Sequence, residues 1–367
     1  MKVVAFVPMY LPMMGGIEIL TSSLAEPLRN KDIELVIATD SLTKLPHFET
    51  INEVDVHRFD FIHALNSGNA HYPLKVLSEL SAMLNQLAPD VIHVHSSAAP
   101  HTWFVDRWLA NHPEKPLLIT QHGCLEAQEQ LSSVKNIAQR AQHITAVSNA
   151  VASSFCEFVG ELPVTVIPNG VKIPTVEPTD EGRTSPELRI IGIGRLKHQK
   201  GFALAIQALA QLKSLGIDCS LTLVGGGAEL PAMQQLATEL DVAVAFAGIL
   251  DQQDTHRLLS RSSILVVPSR SREGFSLVAA EAAFLGIPSV VSDVGGLPET
   301  VIHNQTGLVF PAQEVSQLSQ HLAALARDRD LLTRLGAGAQ ERARAAFNLQ
   351  ECADQYASIY ERITHHI

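Results

Sequence analysis

Short runs of aliphatic and β-branched residues alternate with stretches of helical periodicity along nearly the whole chain. No other feature restricts the fold as much. Val3–Val7, Glu34–Ala38, Val91–Val94, Leu117–Thr120 and Ile144–Val147 read as strands, while Glu18–Leu28 and Leu74–Leu87 read as helices. Strand runs without an alternating polar face predict parallel strands covered by helices on both sides. The alternation pauses at Pro168-Asn169-Gly170 and through Pro174–Pro186, a stretch rich in Pro, Thr, Asp and Glu and the expected linker. It then restarts with strands at Arg189–Ile193, Ser220–Val224, Ile264–Val267 and Ser289–Val291 and a helix at Phe202–Leu215. A last helix is expected over Phe347–Ile363, with Tyr356, Ile359 and Tyr360 on one side and no strand left to pair with, so it should pack back elsewhere. A length of 367 residues suits two such doubly wound α/β units in tandem.

Composition removes several functions. There are 27 Lys and Arg against 38 Asp and Glu, a net charge of −11. Up to Asp180 the count is 11 against 19, and beyond it 16 against 19. Neither half is basic, so neither nucleic-acid binding nor strong attraction to anionic lipid has electrostatic support. No apolar run reaches the length of a membrane span. The first apolar run is broken by Pro8 and Pro12 and reads as a buried strand, not a signal peptide. Cys124, Cys156, Cys219 and Cys352 are isolated, as expected of reduced thiols in a cytosolic protein.

In open parallel sheets, ligands bind beyond the carboxyl ends of the strands. The loops Pro8–Ile17, His95–Ala98, Gln121–Gly123, Gly194–Gly201, Gly225–Ala228 and Ser269–Phe275 should therefore carry the chemistry, and if the two sheets face each other they line one cleft. Glu273 and Glu281 are eight residues apart, about 80° and about 12 Å along a helix, so both could look toward one extended ligand. Glu281 lies between Leu-Val-Ala-Ala and Ala-Ala-Phe-Leu, too apolar a setting for a surface carboxylate. Arg195 and Lys200 flank a short loop after a strand, a pair of cations suited to a diphosphate. A dinucleotide fingerprint fails there, because its third glycine would fall on Lys197. Asp328-Arg329-Asp330 lies in the helical stretch Val315–Leu335, where i and i+2 point apart, and reads as solvated surface. No metal site is expected.

Taken in order, these residues resemble retaining glycosyltransferase family 4, the glycosyl transferases of group 1. Glu273 to Glu281 is similar to that family's E-x7-E motif, and Gly194-Arg195-Leu196 through Lys200-Gly201 to its Gly-Arg-Leu-x-x-x-Lys-Gly. Gly15-Gly16-Ile17-Glu18, Pro168-Asn169-Gly170-Val171, Val224-Gly225-Gly226-Gly227 and Gly295-Gly296-Leu297-Pro298-Glu299 resemble further family motifs. Together they cover nearly the whole chain. Ser276 departs from the pattern, since the family often has Gly there; a larger residue would narrow the sugar pocket.

The resemblance implies a GT-B fold: two Rossmann-like doubly wound domains facing a cleft, with the C-terminal helix crossing back to the N-terminal domain. It divides the chain into an acceptor domain, 1–168 with 347–367, and a nucleotide-sugar donor domain, 169–346. Arg195 and Lys200 would hold the donor diphosphate, and Gly15 and Gly16 would bring the first loop close to a phosphate. Glu273 with Gly274, Phe275, Ser276 and Leu277 would position the transferred sugar. Glu281 would bind the ribose, and His122 would face the donor sugar. The implied reaction moves a sugar with retention from a nucleotide sugar, UDP-sugar favoured over GDP-mannose, to a hydroxyl of a saccharide or lipid-linked saccharide. The implied setting is cell-surface polysaccharide or lipopolysaccharide synthesis, in the cytoplasm or at the inner membrane face, with at most weak peripheral membrane contact through Pro12-Met13-Met14. Neither cofactor nor metal is expected. The acceptor would lie near Tyr10–Gly16, Asn66–Tyr72 and His95–His101. The alternatives are a nucleotide-sugar epimerase or hydrolase on the same fold, or a non-catalytic nucleotide-sugar-binding protein.

Overall fold

The computed structural model describes every residue except 14, 42–44, 96–98, 126–130, 177–178, 180, 272 and 366–367. Met14, Arg272 and the Ser96–Ala98 part of one expected loop thus lie outside the described residues. The chain forms two compact units, Met1–Gly170 with Leu349–Ile367, and Val171–Asn348.

The first unit is built on strands β1 (Lys2–Val7), β2 (Glu34–Asp40), β3 (Phe48–Ile51), β4 (Val54–Phe59), β5 (Val91–His95), β6 (Leu117–Gln121), β7 (His143–Ala146) and β8 (Thr165–Val166). Among the described residues their order is β3-β4-β2-β1-β5-β6-β7-β8, parallel throughout except for the β3–β4 hairpin. Side chains alternate across a strand, and β1 is apolar on both faces. Val4 and Phe6 enter one core with Phe104, Trp108 and Phe155, while Val3, Ala5 and Val7 enter the other with Leu24, Tyr356 and Tyr360.

The helix Leu349–Thr364 belongs to this first unit, as the crossing-back expectation requires. It packs on the helix Gly16–Arg29. Its Tyr360 hydroxyl lies 2.7 Å from His93 Nδ1, and His93 Nε2 lies 2.7 Å from Thr120 Oγ1, which is 2.7 Å from Thr145 Oγ1. This buried chain of polar groups joins the last helix to β5, β6 and β7.

The second unit contains β9 (Leu188–Ile193), β10 (Cys219–Val224), β11 (Val244–Gly248), β12 (Ile264–Val267), β13 (Ser289–Ser292) and β14 (Gly307–Phe310). Their order among the described residues is β11-β10-β9-β12-β13-β14, all parallel. No helix among the described residues is long and apolar enough to cross a membrane.

Three expectations need correction. Pro174–Pro186 is not a free linker: Thr179 Oγ1 donates to Ser260 O at 2.8 Å, and Ser263 Oγ donates to Gly182 O at 2.6 Å. Val315–Leu335 is not one helix. It breaks at Asp328, whose carboxylate accepts from Leu331 N at 2.8 Å and caps the next helix, Arg329–Ala346. That local bond competes with helix continuation, so Asp328 is a cap as well as surface. Finally, Glu273 precedes the helix Leu277–Phe284, so no single helical path links it to Glu281.

Candidate active site

In the second unit β9 pairs with β10 on one side and β12 on the other. The chain leaves it in opposite directions, and such sheets bind ligands beyond the strand ends at this point, where the loops following β9 and β12 lie. Both loops carry residues singled out above. After β9 comes Gly194-Arg195-Leu196, then a 3-10 turn, His198–Lys200. Gly201 takes φ +67°, and a Cβ there would stand 2.0 Å from Pro268 O. Only glycine allows the β9 loop to lie this close to the end of β12.

Lys200 Nζ donates to both oxygens of Glu273, at 2.8 and 2.9 Å, and Ser269 Oγ donates to Glu273 Oε2 at 3.1 Å. The Glu273 side chain is 12% exposed, and charge-assisted hydrogen bonds are strong in such a setting. Its main chain is held too: Gly296 N donates to Glu273 O at 2.8 Å. Gly295 takes φ +55°, and a Cβ there would stand 2.0 Å from that same oxygen. Arg195 is exposed and forms no ion pair among the described residues. The structure thus gathers Lys200, Glu273 and Ser269, and leaves Arg195 as a solvated cation in the same loop. In the sequence Ser269 is visible only as one end of the loop Ser269–Phe275. Its signal is a hydroxyl at a strand end, four residues before the carboxylate.

Gly274 and Ser276 are buried, whereas Phe275 and Leu277 are half-buried. Phe275 packs edge-on against Phe347, with ring centroids 5.2 Å apart. Ser276 caps the helix Leu277–Phe284, its Oγ accepting from Ala279 N at 3.3 Å. Its side chain turns onto the helix end and is buried. Glu281 is 7% exposed on that helix, as its apolar flanks required. Its Oε1 lies 3.5 Å from Nε2 of His256, which is itself 5% exposed. Nothing in the sequence drew attention to His256. It shares the inward stripe of the helix Gln252–Ser260 with Leu259, a spacing that reads as core.

In the first unit, Gly15 caps the helix Gly16–Arg29, and a Cβ there would meet Glu18 Oε2 at 2.5 Å. Gly16 is the exposed first residue of that helix. The preceding loop is tied down by buried Arg58, whose Nη2 donates to Leu11 O at 2.7 Å. His122 follows β6, with Nε2 2.8 Å from His95 Nδ1 and the two rings stacked 5.1 Å apart. Burial pushes His122 and His101 down to about 3 and holds His93 and His95 well below the usual imidazole range. All four are neutral at pH 7. In the His95–His122 contact, therefore, one ring donates and the other accepts.

A pH dependence follows from this. The folded histidines stay neutral where unfolded ones take a proton, so their burial supports folding fully above about pH 6.5 and progressively less as pH falls. Each group costs up to about 1.4 kcal/mol per pH unit in that window. His101 packs against Phe6 and Phe61, and its Nε2 has no partner among the described residues. His101→Phe is therefore expected to flatten the loss of stability between pH 6.5 and 5. Urea midpoints of the two proteins falling in parallel would contradict this.

Comparisons with known proteins meet these residues from another direction. The family described as Glycosyl transferases group 1 matches residues 177–342, and that described as Glycosyltransferase Family 4 matches residues 14–173. A glycogen synthase of Mycobacterium tuberculosis is 30% identical over 74% of this chain and 68% of its own length. The chain belongs to glycosyltransferase family 4. Among solved structures, a sucrose-phosphate synthase from Thermosynechococcus elongatus superposes with a TM-score of 0.84 at 23% identity, covering all of both chains. Anabaena HepE in complex with UDP does so at 0.81 and 21% identity, over 99% of this chain and 100% of its own. These likenesses establish the GT-B fold expected from the sequence. As a family 4 member the chain is an enzyme, a glycosyltransferase.

Proposed function

We propose that this family 4 member transfers a sugar, with retention of configuration, from a nucleotide sugar to a hydroxyl of a saccharide or lipid-linked saccharide. A UDP-sugar is favoured over GDP-mannose: HepE, which shares the fold, is in complex with UDP, although a mannosyltransferase of Mycobacterium tuberculosis 29% identical to this chain is named GDP-mannose-dependent. The observation that carries the reading is the bidentate Lys200–Glu273 contact between the loops that follow β9 and β12, with Arg195 exposed in the same loop as Lys200.

In this reading Glu273 holds the Lys200 ammonium where the diphosphate oxygens arrive. Arg195 and Lys200 then meet the charge that grows on the leaving phosphate. The bond between the anomeric carbon and the phosphate oxygen breaks. The acceptor oxygen bonds to the same face of that carbon, and the leaving phosphate oxygen takes the acceptor's proton. Glu273 positions the sugar and is no nucleophile, Glu281 takes the ribose, and His122 is assigned to the sugar by resemblance alone. The loop residues Gly15 and Gly16 approach a phosphate. The proposed setting is cell-surface polysaccharide synthesis in the cytoplasm, at the inner face of the membrane.

In this reading Lys200, held by Glu273, and Arg195 in the same loop do the electrostatic work that a divalent metal does in other enzymes. Transfer from a panel of UDP-sugars and GDP-mannose is therefore expected to persist in excess chelator, with the product anomer read by NMR. Loss of transfer in chelator, restored by magnesium or manganese, would refute the metal-free scheme. Donor consumption independent of any acceptor would point to a hydrolase or epimerase instead.

A further inference from the structure

The buried carboxylate of Glu281 has a neighbour that the proposed reaction does not use. Glu281 is surrounded on its helix by buried Ala279, Ala280, Ala282 and Ala283. Such a site solvates a carboxylate poorly, and buried charges require a polar partner. His256 Nε2 stands 3.5 Å from Glu281 Oε1, and among the described residues it has no hydrogen-bond partner. The separation exceeds a well-formed N–H···O bond, about 2.9–3.0 Å. The imidazole nitrogen is thus buried, 3.5 Å from one carboxylate oxygen and without a hydrogen-bond partner among the described residues.

Its own placement is firm. The helix Gln252–Ser260 is capped by Asp251, whose Oδ1 accepts from Asp254 N at 2.7 Å. His256, Leu259 and Ser260 form its buried side. The ring therefore comes from a different helix than the carboxylate.

We propose that His256 is a positioning residue for Glu281: its Nε2–H closes on Oε1 when a nucleoside diphosphate binds, fixing the carboxylate rotamer so that Oε2 accepts from a ribose hydroxyl. This rests on the reading of Glu281 as the ribose ligand. A glutamate has three side-chain torsions to fix, and a residue that fixes them before or during binding reduces the ordering cost borne by the ligand. A site built to bond a hydroxyl rejects the analogue that lacks it, because the site's polar groups are left unpaired. His256 should accordingly act on the discrimination between ribose and deoxyribose, and not on the phosphates.

The test is calorimetry on the full chain with UDP and GDP and their 2′,3′-dideoxy counterparts, using wild type, His256→Phe, His256→Gln and Glu281→Gln. Phenylalanine keeps the ring volume and removes the donor; glutamine offers an amide N–H at about the reach of Nε2. His256→Phe should lose about ten-fold in affinity for the tighter-binding ribonucleotide and little for its dideoxy form, and His256→Gln should recover most of that loss. Equal losses for both nucleotides in His256→Phe would show a merely structural role and overturn the proposal. So would an unchanged preference for ribose in His256→Phe while Glu281→Gln abolishes it. If wild type binds neither ribonucleotide, or Glu281→Gln leaves the preference intact, the reading of Glu281 itself fails and takes this one with it.

Discussion

Replacing Lys200 with alanine is expected to lower turnover at saturating donor by about 10²–10³-fold, while donor affinity falls much less. The charge that Lys200 meets grows as the sugar–phosphate bond breaks, and only interactions stronger in the transition state than in the ground state raise the rate. Arg195→Ala should move in the same direction. The structure adds a complication: Lys200 is also the partner of Glu273, so its removal leaves a carboxylate 12% exposed with Ser269 as its remaining side-chain donor. Some of the lost activity could then come from a displaced Glu273. The double variant Lys200→Ala/Glu273→Gln separates the two effects. If Lys200 acts on the leaving group, neutralising Glu273 does not restore turnover; if Lys200 only holds Glu273, the double variant is no worse than Glu273→Gln alone. Near wild-type turnover in Lys200→Ala would remove Lys200 from the diphosphate role altogether.

The architecture was legible because parallel strands buried on both faces leave continuous apolar runs, and β1, β2 and β12 do so most plainly. The hairpin β3–β4 escaped notice because its signals are weak. Val54-Asp55-Val56-His57-Arg58-Phe59 mixes charge with β-branched residues, and its turn uses Asn52 and Glu53 at φ 50° and 62°. A glutamate in the left-handed region gives no turn signature of the Asn-Gly kind. The Arg58 that makes this hairpin matter, by holding Leu11 O, looks in sequence like an exposed charge.

The candidate site was legible for a related reason and illegible for a contrasting one. Glycines that let two strand-end loops touch leave local marks, and so do charges at fixed spacing beside them. Pairings between distant segments leave none. Lys200 and Glu273 were assigned to different parts of the donor, yet they meet across 73 residues. His256 and Glu281 meet from two helices, and His256 carries only the pattern of a core position. Which partner a buried polar group finds is decided by sheet order, and sheet order is not written in any single segment.

Glu273→Gln and Glu281→Gln are expected to fail in different ways, although the two residues belong to one loop–helix unit. Glu281 is buried on the helix Leu277–Phe284 beside His256 and is read as the ribose ligand. Its neutralisation removes binding shared by ground and transition states, so the donor KM should rise about ten-fold with little change in kcat. The free nucleoside diphosphate should lose affinity by a similar factor. Glu273 is read as touching the transferred sugar alone, and misplacing a reacting group costs rate, so its glutamine variant should lose about 100-fold in kcat. Unlike Glu281→Gln, it should spare binding of the free nucleoside diphosphate. Both variants must melt like the wild type, since the backbone around Glu273 depends on its bond from Gly296 N. Calorimetry with the nucleoside diphosphate then decides. Equal losses in the two variants, or a loss in Glu273→Gln alone, would reverse the orientation of the donor along the loop and helix.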